Sequence, residues 1–232
     1  MQPRAQNTLC NEDTFKSLGL SNIQILNLNI SAAYNLTYIP NPSITPTDGS
    51  ALGTTVNMCS INLRYTHPGQ NDTINTSIGL PLDSTDWNGR FLMEGGGGWV
   101  TSPDNGVQPT VAAGYSSSST DGGHTENGPN WGLASEGNTD WPALSDFASV
   151  ALVEAARLGK QATFLYYGQE ASFSYWTGCS TGGRQGHMMA QRYPEEFDGI
   201  AAGCPAINWQ RFLIYEYWPV LIADSLGMSR IS

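Results

Sequence analysis

The residues with the clearest capacity for chemistry lie in Ser172-Phe-Ser-Tyr-Trp-Thr-Gly-Cys-Ser-Thr-Gly-Gly-Arg-Gln-Gly186. Gly178, Ser180 and Gly182 stand in a Gly-x-Ser-x-Gly frame, the spacing of a nucleophile elbow that lifts a serine hydroxyl above an α/β sheet. The frame has a steric reason. A serine held at so sharp a turn sits in a strained backbone conformation, and the residues two before and two after it must be small for strand and helix to pass closely. The alternation of aromatic and polar residues before Gly178 predicts a strand. The apolar-periodic segment after it predicts a helix from Gly182 to Tyr193, stopped by Pro194.

A serine is a weak nucleophile unless a base takes its proton and an oxyanion hole receives the developing charge. One oxyanion donor is expected from the backbone N–H of Thr181, the residue after the nucleophile. The other is expected from the glycine run Gly95–Gly98, at Gly96 and Gly97, because glycine lets amides turn inward without a side-chain clash. A phosphate-binding role for that run fails, since neither a Lys-Ser/Thr pair nor a GxGxxG frame follows it. The base is harder to find. Behind an elbow of this kind the acid and then the histidine follow the serine along the chain, but His67 and His124 precede Ser180, and His187 lies two helical turns beyond it. His124, in Ser119-Thr-Asp-Gly-Gly-His124, is expected to be a hydrogen-bonding residue near the site with Asp121, and His187 a half-buried helix residue. Asp198 and Asp224 are expected to be structural, which leaves the acid and the base outside these 232 residues.

The elements that must position these groups fall into two regions. Residues 1–85 are β-rich, with strands expected at Ile23–Ile30, Thr55–Tyr65 and Thr73–Leu80 and a loop at Pro40–Ser50. Residues 86–232 alternate strands and helices. Strands are expected at Arg90–Glu94, at Val111–Ser119, before the elbow, and at Phe197–Gly203. A helix from Pro142 is expected to stop at Gly159, followed by a short one over Ala162–Tyr167, and an aromatic-rich helix carries Phe212, Tyr215 and Trp218. The alternation indicates a mostly parallel sheet with helices on both faces, in one partial catalytic domain spanning 1–232. The strand at 197–203 is expected to have neighbours that this chain does not contain, leaving an open edge that favours association and poor solubility.

Composition excludes some functions. Ten Lys+Arg stand against twenty Asp+Glu, and the net charge of −10 without a basic run argues against nucleic acid and anionic membranes. No apolar run approaches the roughly 20 residues of a membrane span. Sequons at Asn29, Asn35, Asn71 and Asn75, with scarce lysine, suggest a secreted glycoprotein whose signal peptide is not present in this chain. Cys10, Cys59, Cys179 and Cys204 show no metal-binding spacing, so no metal site is expected and disulfides are. Cys10 and Cys59 flank the β region and can pair. A Cys179–Cys204 bridge is open too, although the ends of neighbouring parallel strands do not obviously meet the distance requirement.

With these motifs together, the chain resembles the tannase/feruloyl esterase family of α/β-hydrolase fold. The likeness rests on Trp87-Asn-Gly-Arg-Phe before the glycine run, Ser119-Thr-Asp-Gly-Gly-His124, Tyr175-Trp-Thr-Gly-Cys-Ser-Thr-Gly-Gly-Arg-Gln-Gly186, Tyr193-Pro-Glu-Glu-Phe-Asp-Gly-Ile200 and Pro205-Ala-Ile-Asn-Trp209. The resemblance implies a secreted serine esterase acting on feruloyl or galloyl esters, with Ser180 as nucleophile. It also implies a Cys10–Cys59 bridge, and a bridge from Cys179 to a cysteine downstream of the catalytic histidine, outside this chain. Cys204 departs from the family pattern, which places a small apolar residue there. The later Asp and His-Cys, and the lid with its calcium, have no counterpart here. Two readings follow: the amino-terminal portion of such an esterase, completed by a second chain or a longer product and inactive alone, or a non-catalytic remnant that binds phenolics or polysaccharide through exposed Trp and Tyr.

Overall fold

A computed structural model of the chain describes residues 8–39, 44, 53–104, 106–125 and 128–228. The expected loop at 40–50 lies outside the described residues except for Ile44, which is buried. The amino-terminal strands are β1 (Gln24–Thr37), β2 (Thr55–Thr66) and β3 (Ile74–Pro81). Then follow β4 (Arg90–Glu94), helix α1 (Gln108–Ala112), β5 (Ser117–Thr120) and a small hairpin of β6 (Leu133–Ser135) and β7 (Asn138–Thr139). Helices α2 (Trp141–Ala148) and α3 (Val150–Tyr167) lead to β8 (Phe173–Cys179), α4 (Thr181–Arg192), β9 (Gly199–Gly203) and α5 (Trp209–Ser225).

Two sheets share the load. An antiparallel sheet runs in the order β1-β2-β3-β5, and a parallel one in the order β4-β8-β9. A parallel bridge between Phe91 and Ser116 joins them, so the parallel strands expected in 86–232 carry the β-rich amino-terminal region as an antiparallel arm. Strand alternation sets the two faces of that arm. Ile61, Leu63 and Ile78 pack with Ala151, Leu158 and Ala162 of α3, while Val56 and Met58 pack with Val107, just before α1, and Val111 within it. Among the described residues β9 has β8 as its one hydrogen-bonded neighbour.

Three expectations change here. The apolar run from Val111 opens as helix α1, because Pro109 suits a first helical turn and Val111 fills the gap above Gly79; only Ser117–Thr120 is strand. The helix from Trp141 breaks at Ser149, and α3 then runs through Gly159 to a left-handed cap at Gly168. Gly159 marks a close helix–sheet contact and not a stop: a Cβ there would lie 2.7 Å from the Phe91 ring and from Ser118 Oγ. His187 is exposed on α4, not half-buried.

Cys10 and Cys59 are bridged, with 5.6 Å between their Cα atoms, and Cys59 lies in the core beside Phe15 and Leu18. The sequon residues Asn29, Asn35, Asn71 and Asn75 are all exposed. No described helix is long and apolar enough to cross a membrane.

Glu196, before β9, fastens that strand to α3. Its buried carboxylate accepts a bond of 2.6 Å from Arg157 Nε and another from Lys160 Nζ. Burial alone would raise this carboxyl, but the bonds from Lys160 and then Arg157 outweigh it and hold it below its ordinary 4.5. The folded value is depressed, so the stabilisation is present above the ordinary value and lost as pH falls through the folded one. Glu196→Gln is therefore expected to cost about 1–3 kcal/mol at pH 7 and to flatten the fall in Tm between about pH 5 and 3. Thermal melts across that range check this. Most of the effect belongs to Lys160, since Arg157 is 44% exposed and its bond is screened.

Candidate active site

The elbow is built at the carboxyl end of β8. Ser180 takes φ 58° and ψ −116°, a region that non-glycine residues enter at a cost of about 1–3 kcal/mol. The turn is possible because β8 and α4 nearly touch. A Cβ on Gly178 would come within 2.7 Å of Gly182 Cα, and one on Gly95 within 2.5 Å of the same atom. Ser180 is exposed, and its hydroxyl makes no hydrogen bond among the described residues. Its carbonyl is held by the amides of Arg184 and Ala206, each at 3.0 Å. The oxygen is thus presented to solvent by a backbone fixed from behind.

The glycine run lies directly against this turn. Gly182 N–H donates to Gly96 O at 2.8 Å, and Thr181 Oγ1 donates to Gly98 O. The two expected donors in the run separate here. Gly96 N–H is already engaged by Gln185 Oε1 at 3.0 Å, which corrects its assignment to an oxyanion hole. Gly97 N–H has no acceptor among the described residues, the residue is exposed, and a Cβ there would meet nothing within 4 Å. Thr181, at the amino end of α4, keeps the expected place after the serine.

Gln185 escaped sequence reasoning. Its side chain is fully buried and spans the loop, accepting from Gly96 and donating to Thr101 O at 3.0 Å. It lies one helical turn after Thr181, a spacing that could have pointed to it. Gln185→Leu leaves two buried backbone groups unpaired, at about 1–3 kcal/mol each, and releases the loop. Thermal melts are expected to show Tm lowered by at least about 4 °C. Arg184 was likewise missed. It donates to Phe147 O and Ala148 O at the carboxyl end of α2 and lies 4.4 Å over the Phe147 ring, while burial lowers its pKa.

An open cleft of about 780 Å³ runs along the carboxyl ends of β4, β8 and β9, between Gly95, Gly97 and Val100 on one side and Gly178, Ala201 and Gly203 on the other. Such crevices are where open α/β sheets bind ligands. Cys179 borders it and is bridged to Cys204, with 5.3 Å between Cα atoms. This corrects the expectation of a partner beyond the chain. β8 and β9 are in register at Cys179 and Gly203, and the next residue turns to φ 31°, which carries Cys204 back toward Cys179.

The histidines are elsewhere. His124 Nε2 meets Trp99 O at 2.6 Å and its ring stacks on Trp131 at 3.8 Å, so it braces the end of the glycine loop. Asp121 accepts from the Asn75 amide and side chain and from Gly123 N–H, which fixes the turn before His124. His67 is buried among carboxylates, and none of the three is hydrogen-bonded to Ser180. Asp198 is structural: its carboxylate accepts from Ser174 N–H at 2.7 Å.

A strained serine between a parallel strand and a helix, with a glycine loop laid against it, is the nucleophile-elbow arrangement of the α/β-hydrolase fold. The family model for tannase and feruloyl esterase matches residues 59–223. A probable feruloyl esterase of Arthroderma benhamiae is 42% identical over 184 residues, covering 78% of this chain and 34% of that protein. A tannase of Aspergillus oryzae is 32% identical over 192 residues, covering 80% and 32%. The structure of a tannin acyl hydrolase from Aspergillus niger superposes with a TM-score of 0.83 at 28% identity, over 99% of this chain and 43% of that one. Feruloyl esterase B from Aspergillus oryzae gives 0.68 at 30% identity, over 88% and 39%. The chain belongs to the tannase and feruloyl esterase family of carboxylic ester hydrolases. It spans about a third of the length of the curated relatives it matches.

Proposed function

We propose that this chain supplies the nucleophile and oxyanion hole of a secreted esterase that cleaves phenolic-acid esters, feruloyl or galloyl. The observation that carries the reading is the exposed, unbonded hydroxyl of Ser180 on its strained turn. The acid and base come from the rest of the whole protein or from a second chain. The histidine takes the Ser180 proton, Oγ adds to the ester carbonyl, and the amides of Thr181 and Gly97 receive the oxyanion. The ester C–O bond breaks as the histidine gives its proton to the leaving alcohol. Water then attacks the acyl-serine, giving the phenolic acid and restoring the hydroxyl. The calcium associated with the lid belongs outside these residues, and no step above runs through it. Glycans on Asn29, Asn35, Asn71 and Asn75 fit secretion, since all four are exposed.

The second reading, a binding remnant, is favoured by one observation: Trp141, Tyr215 and Trp218 are 73%, 79% and 56% exposed. Incubating the whole protein with methyl ferulate, methyl gallate and a feruloylated oligosaccharide separates the two. Release of free phenolic acid is the expected result. Calorimetric binding of the oligosaccharide without any ester cleavage would instead establish the remnant.

A further inference from the structure

We propose that His67, Asp72 and Asp146 form a buried site for a divalent transition ion, zinc foremost, that fastens the β2–β3 loop to α2. The residues come from separate elements: His67 just after β2, Asp72 on the loop to β3, Asp146 on α2. One ligand atom from each lies within 4.8 Å of the others, and the side chains are 6%, 6% and 2% exposed. His67 Nδ1 faces the Asp72 carboxylate and stands 4.0 Å from Asp146 Oδ1. The other Asp146 oxygen, Oδ2, is buried and without a hydrogen-bond partner among the described residues. A buried carboxylate with an oxygen left in this state is costly, and an ion held by this carboxylate, Asp72 and the imidazole offsets the cost.

The shell behind the cluster points the same way. His67 Nε2 lies 2.9 Å from Glu154 Oε1, and Glu154 is itself held by Tyr65 OH at 3.0 Å and Asn22 Nδ2 at 2.6 Å. Metal-ligating histidines characteristically donate their second ring N–H to a carboxylate, which fixes the tautomer and aims the free nitrogen at the ion. Three carboxylates meet one imidazole here, and among the described residues no Lys or Arg is ion-paired with them. One nitrogen and two carboxylates suit zinc, manganese or cobalt, whereas calcium asks for six to eight oxygens. Binding displaces the proton between Nδ1 and Asp72 to solvent, and that proton is the competing occupant. Sequence spacing concealed the site, because Asp146 lies far along the chain from the other two.

The test is metal analysis of the full chain purified without chelators, followed by melts with added Zn²⁺. About one zinc per chain is expected, and Zn²⁺ at 100 times its Kd is expected to raise Tm by about 5–10 °C, reversed by a chelator. Asp146→Asn is expected to weaken binding at least about 100-fold. Should that variant not fold, Co²⁺ loading of the unsubstituted chain gives a visible absorption band that Zn²⁺ abolishes. Trace metal only, with Tm insensitive to Zn²⁺, Mn²⁺ and Co²⁺, would overturn the proposal and leave a proton closing the cluster. So would undiminished binding in Asp146→Asn. Neither readout depends on Ser180.

Discussion

Ser180→Ala is expected to lower kcat/KM of the whole protein toward a phenolic ester by about 10⁴–10⁶-fold, with the fold intact. The size follows from the proposed role of the oxygen: without it no acyl-enzyme forms, and only binding and the proposed oxyanion hole remain. The unchanged stability follows from its surroundings. The hydroxyl is exposed and bonds to nothing among the described residues, so its loss leaves neither a cavity nor an orphaned partner. Ser180→Gly sharpens the point. At φ 58° glycine pays no steric penalty, so this variant should be equally inactive yet melt about 2–4 °C higher than the parent. Kinetics and thermal melts of the three proteins side by side check both halves. Appreciable esterase activity in either variant would remove Ser180 from the chemistry.

Opening the Cys10–Cys59 bridge is expected to be among the most damaging single changes to stability. The bridge spans 49 residues of sequence and encloses β1 and the start of β2, with Cys59 fully buried. Cross-linking a loop of that length removes chain entropy from the unfolded state worth about 4 kcal/mol. For a chain of this size that is a fall in Tm of about 8–16 °C. Cys10→Ser is the better variant, because it leaves the Cys59 thiol packed as a small apolar group. An unchanged Tm in Cys10→Ser would mean that the bridge adds nothing to the core already formed by Phe15, Leu18 and Ile61.

The elbow was legible because its glycines are demanded by contacts between neighbours in sequence. Gly178 and Gly182 meet each other, and the chain around them alternates at strand and then helix period. Gly159 was misread for the opposite reason, since what requires it is Phe91 and Ser118, far away along the chain. The Val111 run shows a second limit: a short apolar stretch has no period of its own, and Pro109 decided for helix. In the site, the division of labour between Gly96 and Gly97 depends on the reach of Gln185 from α4, which four identical glycines could not reveal. The pairing of Cys179 with Cys204 turned on a single left-handed residue after β9.

The central claim is best tested by treating the whole protein with a fluorophosphonate and mapping the adduct by peptide mass spectrometry. One adduct per protein on the peptide that carries Ser180, absent from Ser180→Ala, is the predicted result. No adduct in an ester-cleaving preparation, or an adduct on another serine, would contradict it.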